Sequence, residues 1–75
     1  MTNIKATTLN TASFGPNLKR IREERKLSRE SFAERIGVSS RIVYDYENNL
    51  KYPSFERFVQ IAQVLGVGLD SILEN

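Results

Sequence analysis

Residues 32–49 read FAERIGVSSRIVYDYENN, and this stretch decides the fold. Two apolar stripes at helical spacing flank a three-residue break, Gly37-Val38-Ser39. Phe32, Ala33 and Ile36 share one face of a first helix, and Ile42, Val43 and Tyr46 share one face of the next. Gly37 can take a positive φ without strain, so it stops the first helix. The Ser39 hydroxyl can accept from an orphan amide and start the second. Ala33 is small where two steeply crossed helices must touch, and Phe32, Ile36, Val38, Val43 and Tyr46 fall at inward offsets. Seven positions thus agree on one local geometry, the helix-turn-helix.

Working outward, the same logic places three more helices. Phe14, Leu18 and Ile21 form an apolar face on a helix over 13–26. Ser13 is its expected cap, Pro16 sits in its first turn, and Arg25 and Lys26 complement its negative end. Ser28 caps the helix that carries Phe32. Asn48-Asn49 ends the helix that carries Tyr46, because Asn tolerates the left-handed region. After a loop at 50–53, Ser54 caps a helix with Phe55, Phe58, Val59, Ala62 and Leu65 on one stripe, widened by Ile61 and Val64. So broad a stripe is expected of the most buried helix. Tyr46, Phe55 and Phe58 are accordingly assigned to the core. Gly66 ends that helix, and Leu69, Ile72 and Leu73 make a short fifth. No strand is predicted, so the fold class is all-α, a compact five-helix bundle over residues 13–75. Residues 1–12 are rich in Thr and Asn and are expected to form a flexible N-terminal arm.

Composition narrows function. At 75 residues the chain is one domain. It has no Cys and no His, which removes disulfide frameworks, Cys- or His-ligated metals and imidazole-assisted catalysis. Glu23 and Glu24 are adjacent and point apart on a helix, so they are no acid–base pair. No enzyme activity, catalytic residue, metal or cofactor is expected. No apolar run can span a bilayer and residues 1–8 hold no apolar signal region, so the expected location is the cytoplasm, at the nucleoid. No ligand-sensing segment is evident, and no small-molecule ligand is expected. The formal net charge is only +2. It is unevenly spread: residues 19–41 hold eight bases and four acids, whereas residues 42–75 hold two bases and five acids. One half of the chain therefore attracts polyanions.

The segments LKRIREERKLS, FAERIGVSS, YENN, YPSFE and QVLGVGLDSIL fall in one order and spacing that resembles the Cro/repressor-type, or Xre-like, helix-turn-helix regulators. The resemblance covers Phe14 to Asn75. It implies a lambda-repressor-like DNA-binding domain, a double-stranded DNA operator as partner, a homodimer, and a role in transcription regulation as a repressor. It places the third helix, about 39–47, in the major groove. Arg22 and Glu47 match a family pair that ties the first helix to the third through a bidentate ion pair. Ser39, Ser40, Arg41, Tyr44 and Asp45 match the base-reading positions. Arg41 can donate twice to guanine O6 and N7. Asp45 either accepts from cytosine N4 or pairs with Arg41 one turn away, and both readings stand. Arg29 replaces the usual Gln at the start of the second helix and keeps donors for a phosphate. Asn48 matches a phosphate-binding Asn, Asn49 replaces a usual Gly, and Lys51 either adds a phosphate contact or is solvated.

A second function class stays open: a protein-interaction or antitoxin-type module with DNA binding secondary. The basic half argues against it, and the modest net charge leaves it open. The slope of affinity against salt separates the two, because a chain that neutralises several phosphates must weaken steeply.

Overall fold

The computed structural model describes residues 9–75. It contains five α-helices among these residues: α1 Phe14–Glu24, α2 Arg29–Ile36, α3 Ser40–Glu47, α4 Phe55–Leu65 and α5 Leu69–Leu73. The all-α five-helix expectation is met. The core is a single cluster. Phe14, Leu18 and Ile21 of α1 meet Phe32, Ala33 and Ile36 of α2, Val43 and Tyr46 of α3, Ile61, Ala62 and Leu65 of α4, and Ile72 of α5. Phe14 is its aromatic hub, with Tyr46 and Phe58 edge-on at 6.0 Å between centroids.

Four helices end alike. After each, one residue enters the left-handed region, and the next N–H reaches back to the carbonyl five residues before it. The pairs are Leu27 to Arg22, Val38 to Ala33, Leu50 to Asp45 and Val67 to Ala62. This hydrogen bonding satisfies carbonyls that the helix leaves without partners. Gly37 takes the turn position after α2 at φ 76°, as its lack of a Cβ predicts. After α1 and α3 the position falls to Lys26 at φ 61° and Asn49 at φ 56°. Ser28, Ser39 and Ser54 cap α2, α3 and α4 as expected, accepting from Ser31, Ile42 and Arg57 amides.

Several expectations need correction. Ser13 does not cap α1. A 3-10 turn at Thr11–Ser13, capped by the Asn10 side chain, runs straight into the helix. The Ser13 backbone is therefore already helical, and its hydroxyl donates to Asn75 Oδ1 instead. The helix also ends at Glu24, not Lys26, because Lys26 has left the right-handed region. The arm expected over 1–12 falls mainly on residues 1–8, which lie outside the described residues. Residues 9–12 are held against the C-terminus: Leu9 bridges Glu74, and the Asn10 N–H donates to the Leu73 carbonyl at 2.8 Å.

The broad stripe on α4 is not fully buried either. Ile61, Ala62 and Leu65 are enclosed, but Phe55 is 71% exposed and Phe58 and Val59 are half-buried. Helix α1, packed by α3, α5 and the 3-10 turn, is the more enclosed one. Phe55 lies in the first turn of α4 and lines an open apolar groove with Tyr52, Pro53 and Phe58, so its ring stays in contact with solvent. Tyr46, by contrast, is core as assigned.

Candidate nucleic-acid interface

Charged side chains acting on helix ends fasten α4 to α2 of the helix-turn-helix and α1 to α4. Arg57 Nη1 of α4 donates to the Ile36 carbonyl at the end of α2. Arg25 Nε donates to the Leu65 carbonyl at the end of α4, at 2.9 Å. A cation at a helix C-terminus meets both an orphan acceptor and the negative end of the dipole.

The site is built around Glu47, whose side chain is 0% exposed. It accepts from Arg22 Nε at 2.5 Å and Arg22 Nη2 at 3.2 Å, the bidentate arrangement that joins α1 to α3. Arg22 Nη1 also donates to the Leu27 carbonyl at 2.6 Å. Arg29 then brings a second guanidinium to the same carboxylate, its Nε donating to Oε1 at 2.9 Å. Glu23 Oε2 also stands 4.0 Å from Arg22 Nη2, so the two guanidiniums meet one buried and one exposed carboxylate. Arg29 is the outer of the two, with 34% of its side chain exposed. Its sharing of Glu47 was not legible from the sequence, because eighteen residues and a turn separate them.

The cluster opens onto a cleft of about 530 Å³ lined by Arg22, Arg29, Glu30, Ser40, Arg41 and Tyr44, three bases to one acid. The guanidinium carbons of Arg29 and Arg41 each lie 5.3 Å from the centroid of the Tyr44 ring. Such contacts are attractive through the ring quadrupole and hold both cations near one another. Tyr44 is thus a rest for two arginines, a role that helical spacing could have suggested for Arg41 but not for Arg29.

The remaining residues at the expected positions are placed as follows. Ser39 Oγ accepts the Ile42 N–H, so its acceptor is in use. Ser40 is half-buried on the cleft wall. Arg41 Nε donates to Asp45 Oδ1 at 3.1 Å, and Lys51 Nζ stands 3.8 Å from Asp45 Oδ2. Asp45 thus makes the ion pair with Arg41, and the pair is wider than expected because Lys51 joins it. Asn48 is exposed and its Nδ2 donates to the Tyr44 carbonyl at 2.9 Å. Arg22, Arg29, Ser40, Arg41 and Tyr44 share one cleft, while Asn48 and Lys51 lie outside its lining. Among the described residues no group of three or more His, Cys, Asp or Glu could hold a metal ion, and no helix is long and apolar enough to cross a membrane.

Two short helices at a tight turn, an arginine-lined cleft at their N-termini and a buried Arg–Glu tie to α1 define an Xre-like helix-turn-helix unit. Residues 18–72 match the helix-turn-helix family, and the chain belongs to it. It is 30% identical over 62 residues to the uncharacterised HTH-type transcriptional regulator YqaE of Bacillus subtilis strain 168; the match takes in 83% of this chain and 53% of that protein. The chain thus spans about half the length of this curated relative.

Among solved structures it is similar to the biofilm master regulator SinR in complex with DNA, with a TM-score of 0.72 and 28% identity over 79% of this chain and 95% of SinR. It is also similar to hydroxypropylphosphonic acid epoxidase from S. wedmorenis, with a TM-score of 0.79 and 27% identity, covering 88% of this chain and 35% of the epoxidase. The same fold therefore occurs within an enzyme chain, and fold likeness by itself assigns no activity.

Proposed function

We propose that this chain binds double-stranded DNA sequence-specifically, with α3 in the major groove, and regulates transcription. The observation that carries the reading is the paired display of Arg29 and Arg41 against Tyr44 at the N-terminal ends of α2 and α3. Helix-turn-helix proteins present these ends to a duplex. Ser39, Ser40, Arg41 and Tyr44 face the bases in this reading, and Arg29, Asn48 and Lys51 meet phosphates. The net positive charge of residues 19–41 adds long-range attraction. SinR, similar over most of this chain, was solved in complex with DNA, which supports the same partner here.

Repression by occupancy is the regulatory outcome that needs nothing beyond binding. One module reads only a few base pairs, so a two-fold pair on a near-palindromic operator is the natural form. Exposed Leu50, Tyr52 and Phe55 supply apolar surface for such pairing. Ile72 is fully buried and Leu69 is packed against the core, so neither adds to it.

A second reading, a protein-interaction module, is favoured by one feature. An apolar groove of about 380 Å³ runs between Tyr52, Pro53, Phe55, Phe58 and Leu73. Selection from a random duplex pool, followed by titration of the winner at two salt concentrations, decides between the two. An enriched palindrome bound with steep salt dependence supports the operator reading. No enrichment, with weak binding to every duplex, overturns it in favour of the interaction module.

A further inference from the structure

Asp45 lies one turn after Arg41 on α3, and its side chain is only 8% exposed, whereas that of Arg41 is 75% exposed. A carboxylate that read a base would need a free edge. Both oxygens of Asp45 face cations instead, Arg41 Nε at 3.1 Å and Lys51 Nζ at 3.8 Å. The pairing also cancels the repulsion that a bare carboxylate would exert on phosphates. For Arg41 the consequence is geometric. With Nε engaged by Asp45 and the guanidinium over Tyr44, the edge formed by the two Nη groups makes no hydrogen bond among the described residues. That edge carries the two N–H groups that a guanine O6 and N7 accept.

An exposed arginine samples many rotamers, and immobilising one on binding opposes affinity. Here the restraint is in place before any ligand arrives. It is also continuous with the core. Buried Glu47 holds Arg29, Arg29 rests on Tyr44, Tyr44 carries Arg41, and Arg41 is held by Asp45.

We infer that Asp45 is a positioning residue that fixes the fork of Arg41 for a single guanine in each half-site and does not itself touch a base. This rests on the operator-reading proposal above. Lys51 balances the charge of Asp45, so Arg41 keeps its own positive charge for the DNA.

The test uses the full chain and the duplex that wins selection from a random pool. Wild type, Asp45→Asn and Arg41→Ala are titrated on three duplexes: the winner, the winner with its most selected guanine replaced, and an unrelated sequence. Asp45→Asn should weaken binding to the winner by about three- to tenfold and narrow discrimination at that guanine. Binding to the unrelated duplex should be unchanged or tighter, since a negative charge is lost. The double variant should lose no more discrimination than Arg41→Ala alone, as expected of residues acting as one unit.

A shift of preference at a different base pair, or additive losses in the double variant, makes Asp45 a reader and overturns the inference. A lowered melting temperature with guanine discrimination intact makes its role structural only and also overturns it. Failure of the wild type to enrich any duplex overturns the operator reading itself. The separate readout is the Arg41 Nε–H signal of the free protein by NMR. It should be ordered in wild type and mobile in Asp45→Asn; a mobile signal in wild type overturns the positioning role without reference to DNA.

Discussion

Asn49 caps α1 from the turn that follows α3. Its Oδ1 accepts the Gly15 N–H at 2.9 Å, thirty-four residues earlier in the chain, while its Nδ2 donates to the Ala12 carbonyl at 2.9 Å. The amide of Gly15 is one of the orphan donors in the first turn of α1. Normally a residue just ahead of the helix would take it. Here Asn49 does so, while the Ser13 hydroxyl donates to Asn75. The contact is close enough to restrict position 15. A Cβ built on Gly15 would lie 2.6 Å from both Asn49 Oδ1 and the Glu47 carbonyl oxygen.

Gly15→Ala is therefore expected to destabilise the fold, although Ala is the better helix former by about 1 kcal/mol. The Glu47 backbone cannot yield as a flexible side chain would, and forced overpacking of this kind typically costs about 1–3 kcal/mol. Urea unfolding followed by circular dichroism measures the change. A raised midpoint would show that α1 and the end of α3 can separate freely.

The two non-glycine helix ends should respond in opposite ways. Lys26→Gly relieves a left-handed residue whose side chain is exposed and makes no hydrogen bond among the described residues, and should add about 1 kcal/mol of stability. In a domain of this size that corresponds to roughly 4–8 °C in melting temperature. Asn49→Gly relieves the same backbone strain but deletes both bonds to residues 12 and 15, so it should not stabilise. Equal gains from the two substitutions would show that the Asn49 bonds contribute nothing.

Removal of the Glu47 carboxylate leaves Arg22 buried without its anion. Glu47→Ala should cost on the order of 3–5 kcal/mol, the usual penalty for stranding one member of a buried pair. Arg29→Ala should cost far less, since Arg22 still neutralises the carboxylate and Arg29 is a third exposed. Chemical denaturation of the two variants side by side tests the ordering.

On DNA, Arg29 and Arg41 should act in different ways. Arg29→Ala should weaken all duplexes alike and lower the salt slope by about one. Arg41→Ala should instead relax preference at one base pair, losing about 1–3 kcal/mol of discrimination. Equal, sequence-independent losses from both would remove Arg41 from the readers.

Phe55→Ser should leave stability within about 0.5 kcal/mol, because the ring is largely exposed. Sedimentation velocity should show weaker self-association if the Tyr52–Phe55 surface pairs two copies. Unchanged association would move the pairing surface elsewhere.

Local chemistry was enough to read the helices from the chain. Ser28, Ser39 and Ser54 start helices, and Gly37 and Gly66 stop them, because caps and left-handed turns act within a few residues. The apolar spacing of Phe32, Ile36, Val43 and Tyr46 likewise marked the inner faces of α2 and α3. The resemblance carried by short segments supplied the Arg22–Glu47 pair, which no spacing rule could have paired across twenty-five residues. Only the tertiary structure decided the rest. Asn49 caps α1, Arg29 shares Glu47, Lys51 joins Asp45, and Phe55 stays outside the core although it lies on the α4 stripe. Periodicity says which face of a helix is apolar, but not how far along its length a neighbour reaches. Charge says that partners are needed, but which partners meet is set by the packing of α1 and α2 against α3, and that packing belongs to the whole molecule.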